Sequence, residues 1–537
     1  MMSDADATTH LSQEISERNE FVKLETKHGW IIGGKVKNGA VAFLEVTYAL
    51  PPYRFEDAQP IPEGARYNAK EYVYESCHSA QPDNDGQAAG IPRHDKLGFG
   101  KPLKNPLFVN IVVPSSYGTG IKYPVKVYIH GGFLQFGSPH SLNSQAQYVA
   151  EERNEIWVNI GYRLSAFGFL ASDQPPLSGN FGFKDQWVAL MWIRDNIASF
   201  GGDPENIQIT GLSAGAYSVH QILHHASRLP EGETAPFRSA VLQSNAMQIT
   251  PKTPAELRPQ FEALCHALGL DPTSKDILRR FGVGSLRDMD RLPWPNIIKV
   301  IENDLNEYGT FRACLDGTWM ASHPDSMTWQ RNGGFAEGLR RVGVKSVIVG
   351  DLTEEWYLYS IAHPINTPAD IALNLRRYYP HALVEDILNF YPKIGEDANP
   401  QECAKLFGEI LSDCQVHMPV RLLARDLINH GFPVLRYEMR WTPEKARSLA
   451  KGYVTHATDQ TLWKYRVPTL LPEELSVARE WLDSIDNEIN LLEREGRSVK
   501  GLKDVLTLRV DRSIAWTEDQ KYDEVMRLIK AFPNESS

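Results

Sequence analysis

Ile207-Gln208-Ile209-Thr210-Gly211-Leu212-Ser213-Ala214-Gly215 is the stretch on which the fold turns. Its first four residues read as a short buried strand, and residues 216–224 read as the beginning of a helix. A strand, a Gly-x-Ser-x-Gly and a helix in that order make a nucleophile elbow. The serine occupies a turn so sharp that only small residues can flank it, and its hydroxyl projects above the sheet edge. Ser213 is the candidate nucleophile.

Working outward, Val125-Lys126-Val127-Tyr128-Ile129 alternates as a strand does and runs into His130-Gly131-Gly132-Phe133. Attack of a serine on an ester builds negative charge on the carbonyl oxygen, which needs fixed N–H donors nearby. A glycine-rich turn lets backbone amides face that oxygen with no Cβ in the way. Gly131, Gly132 and Phe133 are the candidate donors, with the amide of Ala214 completing an oxyanion hole. An ordinary strand-to-loop turn is the alternative for this segment; its pairing with the elbow downstream favours the oxyanion reading.

From Asn180 to Gly215 the chain runs NFGFKDQWVALMWIRDNIASFGGDPENIQITGLSAG, with Tyr48-Ala49-Leu50-Pro51-Pro52-Tyr53-Arg54-Phe55 and Tyr162-Arg163-Leu164-Ser165-Ala166-Phe167-Gly168-Phe169 before it. In these blocks the sequence resembles the type-B carboxylesterase family, the cholinesterase-like branch of the α/β-hydrolases, from about residue 29 to about residue 458. Among its members it looks most like the intracellular fungal ones. The resemblance implies an α/β-hydrolase fold: a mostly parallel central sheet with helices on both faces and helical cap insertions. Strands expected at 107–113, 125–129, 156–160, 207–210, 240–243, 347–350 and 434–437 alternate with helical segments, the βαβ rhythm of such a sheet. Residues 185–199 carry Trp187, Leu190, Met191, Ile193 and Ile197 at helical spacing. One domain over residues 21–537 is expected, with insertions at about 254–329 and 367–424, preceded by a polar, flexible arm over residues 1–20.

The resemblance also implies an acid and a base. The family's acid follows a sheet strand in a Gly-x-x-x-(Asp/Glu)-Glu segment, and Gly350-Asp351-Leu352-Thr353-Glu354-Glu355 places it at Glu355, with Glu354 and Asp351 as neighbouring alternatives. The family's histidine precedes an acidic residue in Gly-x-x-His-x-x-(Asp/Glu). Thr455-His456-Ala457-Thr458-Asp459 fits at His456, although Gly452 stands one residue too far upstream. His363, His381, His417 and His430 are read as surface or core residues. The order Ser213, Glu355, His456 is that of α/β-hydrolases.

Two departures from the family pattern bear on substrate. Phe133 replaces the third glycine of the family's His-Gly-Gly-Gly, and Leu212 replaces the usual glutamate before the serine, which removes a buried carboxylate. Residues 81–104 contain no tryptophan, where the cholinesterase subgroup places its cation-binding indole. A choline ester is therefore disfavoured. Leu212, Phe133 and Phe136 suggest an apolar acyl or alcohol group, packing being the other account of each. Ser244 matches a family serine behind the triad, and an ordinary strand end describes it equally well. Trp294 and Trp356-Tyr357-Leu358-Tyr359 are candidates for a gorge lining.

The 537 residues carry 56 Lys and Arg against 67 Asp and Glu, a net charge of −11, which disfavours nucleic acid as a partner. No phosphate-binding glycine loop, dinucleotide fingerprint or metal-spaced Cys/His cluster occurs, so no cofactor and no metal are expected. Secreted relatives close a disulfide between positions matching Cys77 and residue 106, and this chain has Pro106 there. Residues 1–21 lack the apolar run of a secretory signal, and no apolar run is long enough for a membrane span. These features point to the cytoplasm. Residues 473–497 form an amphipathic tail with Leu475, Ala478, Trp481, Leu482, Ile485 and Ile489 on one face, either buried on the core or offering a homodimer contact. Hydrolysis of a small-molecule ester leads the functional readings. Acyl transfer and lactonase chemistry use the same triad, and a non-catalytic, cholinesterase-like binding protein is the rival from another class.

Overall fold

The computed structural model describes residues 7–67, 70–83, 92–118, 120–281, 292–305 and 308–533, without the side chains of Arg279 and Phe281. Its frame is a twelve-stranded sheet of β1 (Phe21–Thr26), β2 (Gly29–Lys35), β3 (Val41–Thr47), β4 (Phe108–Val113), β5 (Tyr123–Ile129), β6 (Ile156–Ile160), β7 (Gly202–Leu212), β8 (Ser239–Gln243), β9 (Ser346–Leu352), β10 (Val434–Met439), β11 (Asp504–Leu508) and β12 (Ile514–Glu518). The spatial order is β1-β2-β3-β4-β6-β5-β7-β8-β9-β10-β11-β12. Every pair from β6 to β11 is parallel. Antiparallel strands close both ends. The seven strands expected from sequence all form. The five added at the two ends belong to short hairpins whose alternation is broken by glycine and charge.

The parallel strands are covered on both faces, as their near-continuous apolar sequences require. Because side chains alternate along a strand, Val125, Val127 and Ile129 of β5 enter one core with the helices Phe181–Asn196 and Ala214–Ala226. Tyr128 and Leu212 face the other core, with Trp463 and Trp481. In the helix Phe181–Asn196 the buried stripe is Phe181, Phe183, Ala189, Leu190, Trp192 and Ile193, while Trp187 and Met191 are only half-buried. The expected face is thus rotated, since Trp187 turns toward Trp319 and His225.

One expectation is corrected, and one pair of alternatives is narrowed. Residues 7–20 are no free arm: the helix Leu11–Arg18 buries Leu11 and Ile15, and Glu14 accepts hydrogen bonds from the Lys37 amide (3.0 Å) and Gln147 Nε2 (3.1 Å). Two apolar side chains in a polar segment were enough to dock it, because glycine at residue 34 leaves room that a Cβ would fill 2.2 Å from Ile15 Cγ2. The tail helix Glu474–Glu495 spends its apolar face within the chain, with Val477, Ala478, Trp481, Leu482, Ile485, Ile489 and Leu492 buried. A homodimer contact through this helix would have to use its charged face. Both insertions carry helices, Pro254–Ala267, Trp294–Asn303 and Ser326–Arg331 in the first and Pro368–Leu375, His381–Leu388 and Pro400–Ser412 in the second. Residues 282–291 of the first lie outside the described residues.

Candidate active site

Ser213 stands between the end of β7 and the helix Ala214–Ala226, at φ 59° and ψ −126°. That left-handed backbone is strained for a residue with a Cβ, and the flanking glycines make it possible by close approach. A Cβ on Gly211 would lie 2.3 Å from the Gly215 carbonyl carbon, and one on Gly215 would lie 2.0 Å from the Ile129 oxygen. The Gly-x-Ser-x-Gly spacing is thus a steric requirement of the turn. The Ser213 amide donates to Gln243 O at 2.9 Å, which anchors the elbow to the neighbouring strand.

The turn after β5 comes up against this elbow. A Cβ on Gly131 would meet Leu212 O at 2.7 Å and Ser213 Cβ at 2.9 Å. Phe133 and Leu134 follow in left-handed conformations, φ 56° and 66°. Among the described residues the amides of Gly132, Phe133 and Ala214 donate to no protein oxygen. Two glutamines hold this loop from outside. Gln135 donates to Phe133 O (2.9 Å) and to Phe311 O, and accepts from the Phe311 amide (3.1 Å). Gln81 brackets Gly137, donating to its oxygen (2.9 Å) and accepting from its amide (2.8 Å). His130 lies beneath, stacked on Tyr162, and burial pushes its imidazole down to about 4, so it is neutral.

Glu355 is fully buried just after β9. Its Oε1 accepts the Leu352 amide at 3.1 Å and its Oε2 lies 2.7 Å from His456 Nδ1. The other ring nitrogen of His456, Nε2, is buried and has no hydrogen-bond partner among the described residues. His456, Ser213, Leu212, Gly131, Gly132, Phe133 and Phe136 line one cavity of about 640 Å³. Glu355, Ala214 and Ser244 stand outside its lining. Ser244 is buried at φ 54°, its amide donates to Gly350 O (2.9 Å), and its hydroxyl has no partner. Among the described residues no hydrogen bond joins the Ser244 hydroxyl to Ser213, Glu355 or His456. The strand end accounts for it.

The competing acids are occupied elsewhere. Glu354 ties down the histidine loop, its Oε2 accepting the Val454 amide (2.7 Å) while its own amide donates to Val454 O (3.0 Å). Asp351 lies 2.7 Å from His417 Nδ1 and binds Arg421 and Arg436, whose charges hold its carboxyl far below the usual carboxylate range. His363 is half-buried against Tyr378 Oη, His430 bonds Arg331 O, and His381 is exposed. Tyr357, Leu358 and Ile361 line the cavity. Trp356 instead packs on Tyr453, and Trp294 joins a separate apolar cluster. Tyr359, buried between Phe133 and His456 (ring centroids 6.2 and 6.0 Å), supports both.

Sequence reasoning missed Gln81 and Gln135, and it used Asp459 only as the acidic end of the histidine motif. Asp459 is fully buried near Glu355 and accepts from Trp463 Nε1 at 3.0 Å; burial, then the Glu355 charge, pushes it up to about 6. Its place three residues after His456 was the available signal. Among the described residues no cluster of ligating side chains fits a metal, and no helix is long and apolar enough to cross a membrane. All five cysteines are free and buried.

The model of the carboxylesterase family matches residues 20–469. The chain belongs to the carboxylesterase family. An uncharacterised esterase/lipase of Schizosaccharomyces pombe is 31% identical over 436 residues, 78% of each chain. A carboxylic ester hydrolase of Gibberella moniliformis is 28% identical over 445 residues, 78% of this chain and 77% of that one. The solved structure of a PNB esterase superposes with a TM-score of 0.68 at 21% identity, covering 94% of this chain and 99% of the other, which places the fold among the α/β-hydrolases. As a family member this carboxylesterase is a carboxylic ester hydrolase.

Proposed function

We propose that this carboxylesterase cleaves a relatively apolar small-molecule ester through an acyl-enzyme on Ser213, with His456 as base and Glu355 as its orienting acid. The observation that carries this reading is the 2.7 Å contact of Glu355 Oε2 with His456 Nδ1, made while His456 and Ser213 line the same cavity. The contact fixes the Nδ1–H tautomer and leaves Nε2 to take the serine proton as the hydroxyl attacks the ester carbonyl. The amides of Gly131, Gly132, Phe133 and Ala214 receive the charge on the tetrahedral oxygen. Each such donor contributes about 3 kcal/mol to lowering the barrier. His456 then protonates the leaving alcohol, and a water activated by the same imidazole releases the acid.

Leu212, Phe133 and Phe136 on the cavity wall support an apolar substrate group. No cofactor enters this chemistry. A cytoplasmic site of action is part of the proposal, supported by the five buried thiols. The test is stopped-flow hydrolysis of p-nitrophenyl acetate, butyrate and octanoate by wild type and Ser213→Ala. A burst of p-nitrophenol stoichiometric with enzyme, absent from the variant, is expected. Equal rates for the two proteins would remove Ser213 from the mechanism and bring a binding role forward.

A further inference from the structure

Arg466 is the one feature of the cavity wall that ester hydrolysis alone leaves unexplained. Its side chain lines the cavity that holds Ser213 and His456, beside Ser144, Thr461 and Thr469. The residue is only 8% exposed. One terminal nitrogen donates to the Ala7 carbonyl oxygen, and Nε is buried with no hydrogen-bond partner. Among the described residues no carboxylate lies within ion-pair distance of it. Three other buried arginines differ: Arg163 is held by Asp185, and Arg421 and Arg436 by Asp351 and Asp519. Taking a guanidinium out of water without an anion is costly. Burial accordingly pushes Arg466 down to about 10, against the longer-range charges of Tyr148, Asp95 and Glu14. It remains a cation at neutral pH.

The rest of the lining has the matching character. Lys96 and Lys445 stand on the same wall, and among the described residues the one carboxylate side chain of the lining, Asp83, is paired with Arg93. Tyr357, Leu358, Ile361 and Leu449 supply apolar surface. A cavity with a nucleophile, an apolar wall and a buried, uncompensated guanidinium suits a substrate with an ester, a methylene chain and an anion. We propose that Arg466 is an anion subsite for a free carboxylate on the substrate, so that this enzyme prefers monoesters of dicarboxylic acids to neutral esters of the same length. A carboxylate rather than a phosphate fits because only one buried cation is available to meet it, and the planar guanidinium matches a carboxylate edge. Arg466 acts in substrate positioning and takes no part in bond breaking. The inference rests on reading the cavity as the ester site.

The test compares p-nitrophenyl hydrogen adipate with p-nitrophenyl hexanoate, which differ only in the terminal carboxylate. Wild type should favour the acidic ester. Arg466→Gln should lower the acidic-to-neutral ratio of kcat/KM by about tenfold or more, through KM for the acidic ester, and Arg466→Lys should recover part of it. An equal loss on both esters, the mark of a merely structural role at Ala7, would overturn the subsite. Binding separates this inference from the catalytic one. Methyl pentyl ketone and its ω-carboxy analogue cannot be hydrolysed, and calorimetry should find the carboxylated ketone tighter on wild type, with the difference lost in Arg466→Gln. Equal affinity for the two ketones would overturn the subsite whatever the esters do.

Discussion

Glu355 binds His456 with one carboxylate oxygen, 2.7 Å from Nδ1, and is itself held by the Leu352 amide on the other, 3.1 Å away. The acid thus spans two segments a hundred residues apart in the chain. Its backbone anchor fixes the carboxylate plane and therefore the ring. Glu355→Gln retains the shape and loses the charge, and the amide can present its NH₂ group to Nδ1, which favours the wrong tautomer. A fall in kcat of about 10³–10⁴ with little change in KM is expected from steady-state kinetics on p-nitrophenyl butyrate. A change confined to KM would remove Glu355 from the role.

Gly131 touches the elbow itself. Its missing side chain is required because a Cβ would stand 2.7 Å from Leu212 O and 2.9 Å from Ser213 Cβ. Gly131→Ala should push the donor loop off the serine. A loss of about 10²–10³ in kcat follows if donor placement is what the loop supplies, while circular dichroism and Tm stay close to wild type. Wild-type turnover in the folded variant would place the oxyanion donors elsewhere.

Asp459 has a folded pKa pushed up to about 6 by burial and by Glu355, above the ordinary 3.8 of an aspartate. The native state therefore binds more protons than the unfolded chain between those values, and stability falls as pH rises from about 4 to 6. Asp459→Asn removes the charge but keeps an oxygen for Trp463 Nε1. Its unfolding free energy relative to wild type should climb over that pH range by an amount on the order of 2 kcal/mol and then level off, with Tm following. A Tm difference independent of pH would contradict the shifted titration.

Trp481 is fully buried in the tail helix against Tyr437 and Trp463, with ring centroids 5.6 Å from each. Trp481→Ala should cost about 3–5 kcal/mol in urea unfolding, from lost burial and the cavity left behind. Because it stands away from the catalytic cavity, KM of the folded fraction should not move. Loss of a dimer in sedimentation with little change in monomer stability would instead make the apolar face an intersubunit contact.

The elbow, the glycine turn and the central strands were legible in the sequence because each is set by local physics. Gly211 is demanded by the approach of Gly215 four residues on, and strands such as 125–129 and 347–350 carry apolar patterning that suits a sheet buried on both faces. Glu355 and His456 were legible only through resemblance to a family, since nothing local distinguishes Glu355 from Glu354. The tertiary structure separates them: Glu354 turns to the Val454 amide, Glu355 to the imidazole. The same holds for Asp351, which meets His417, Arg421 and Arg436 from distant segments, and for Gln135, whose partner Phe311 lies 176 residues away. The docking of residues 11–18 and the uncompensated burial of Arg466 likewise depend on which surfaces the folded chain brings against them. Periodicity and steric demand are properties of neighbours in sequence. Pairing, burial and charge compensation are properties of neighbours in space, and those existed only once the sheet had assembled.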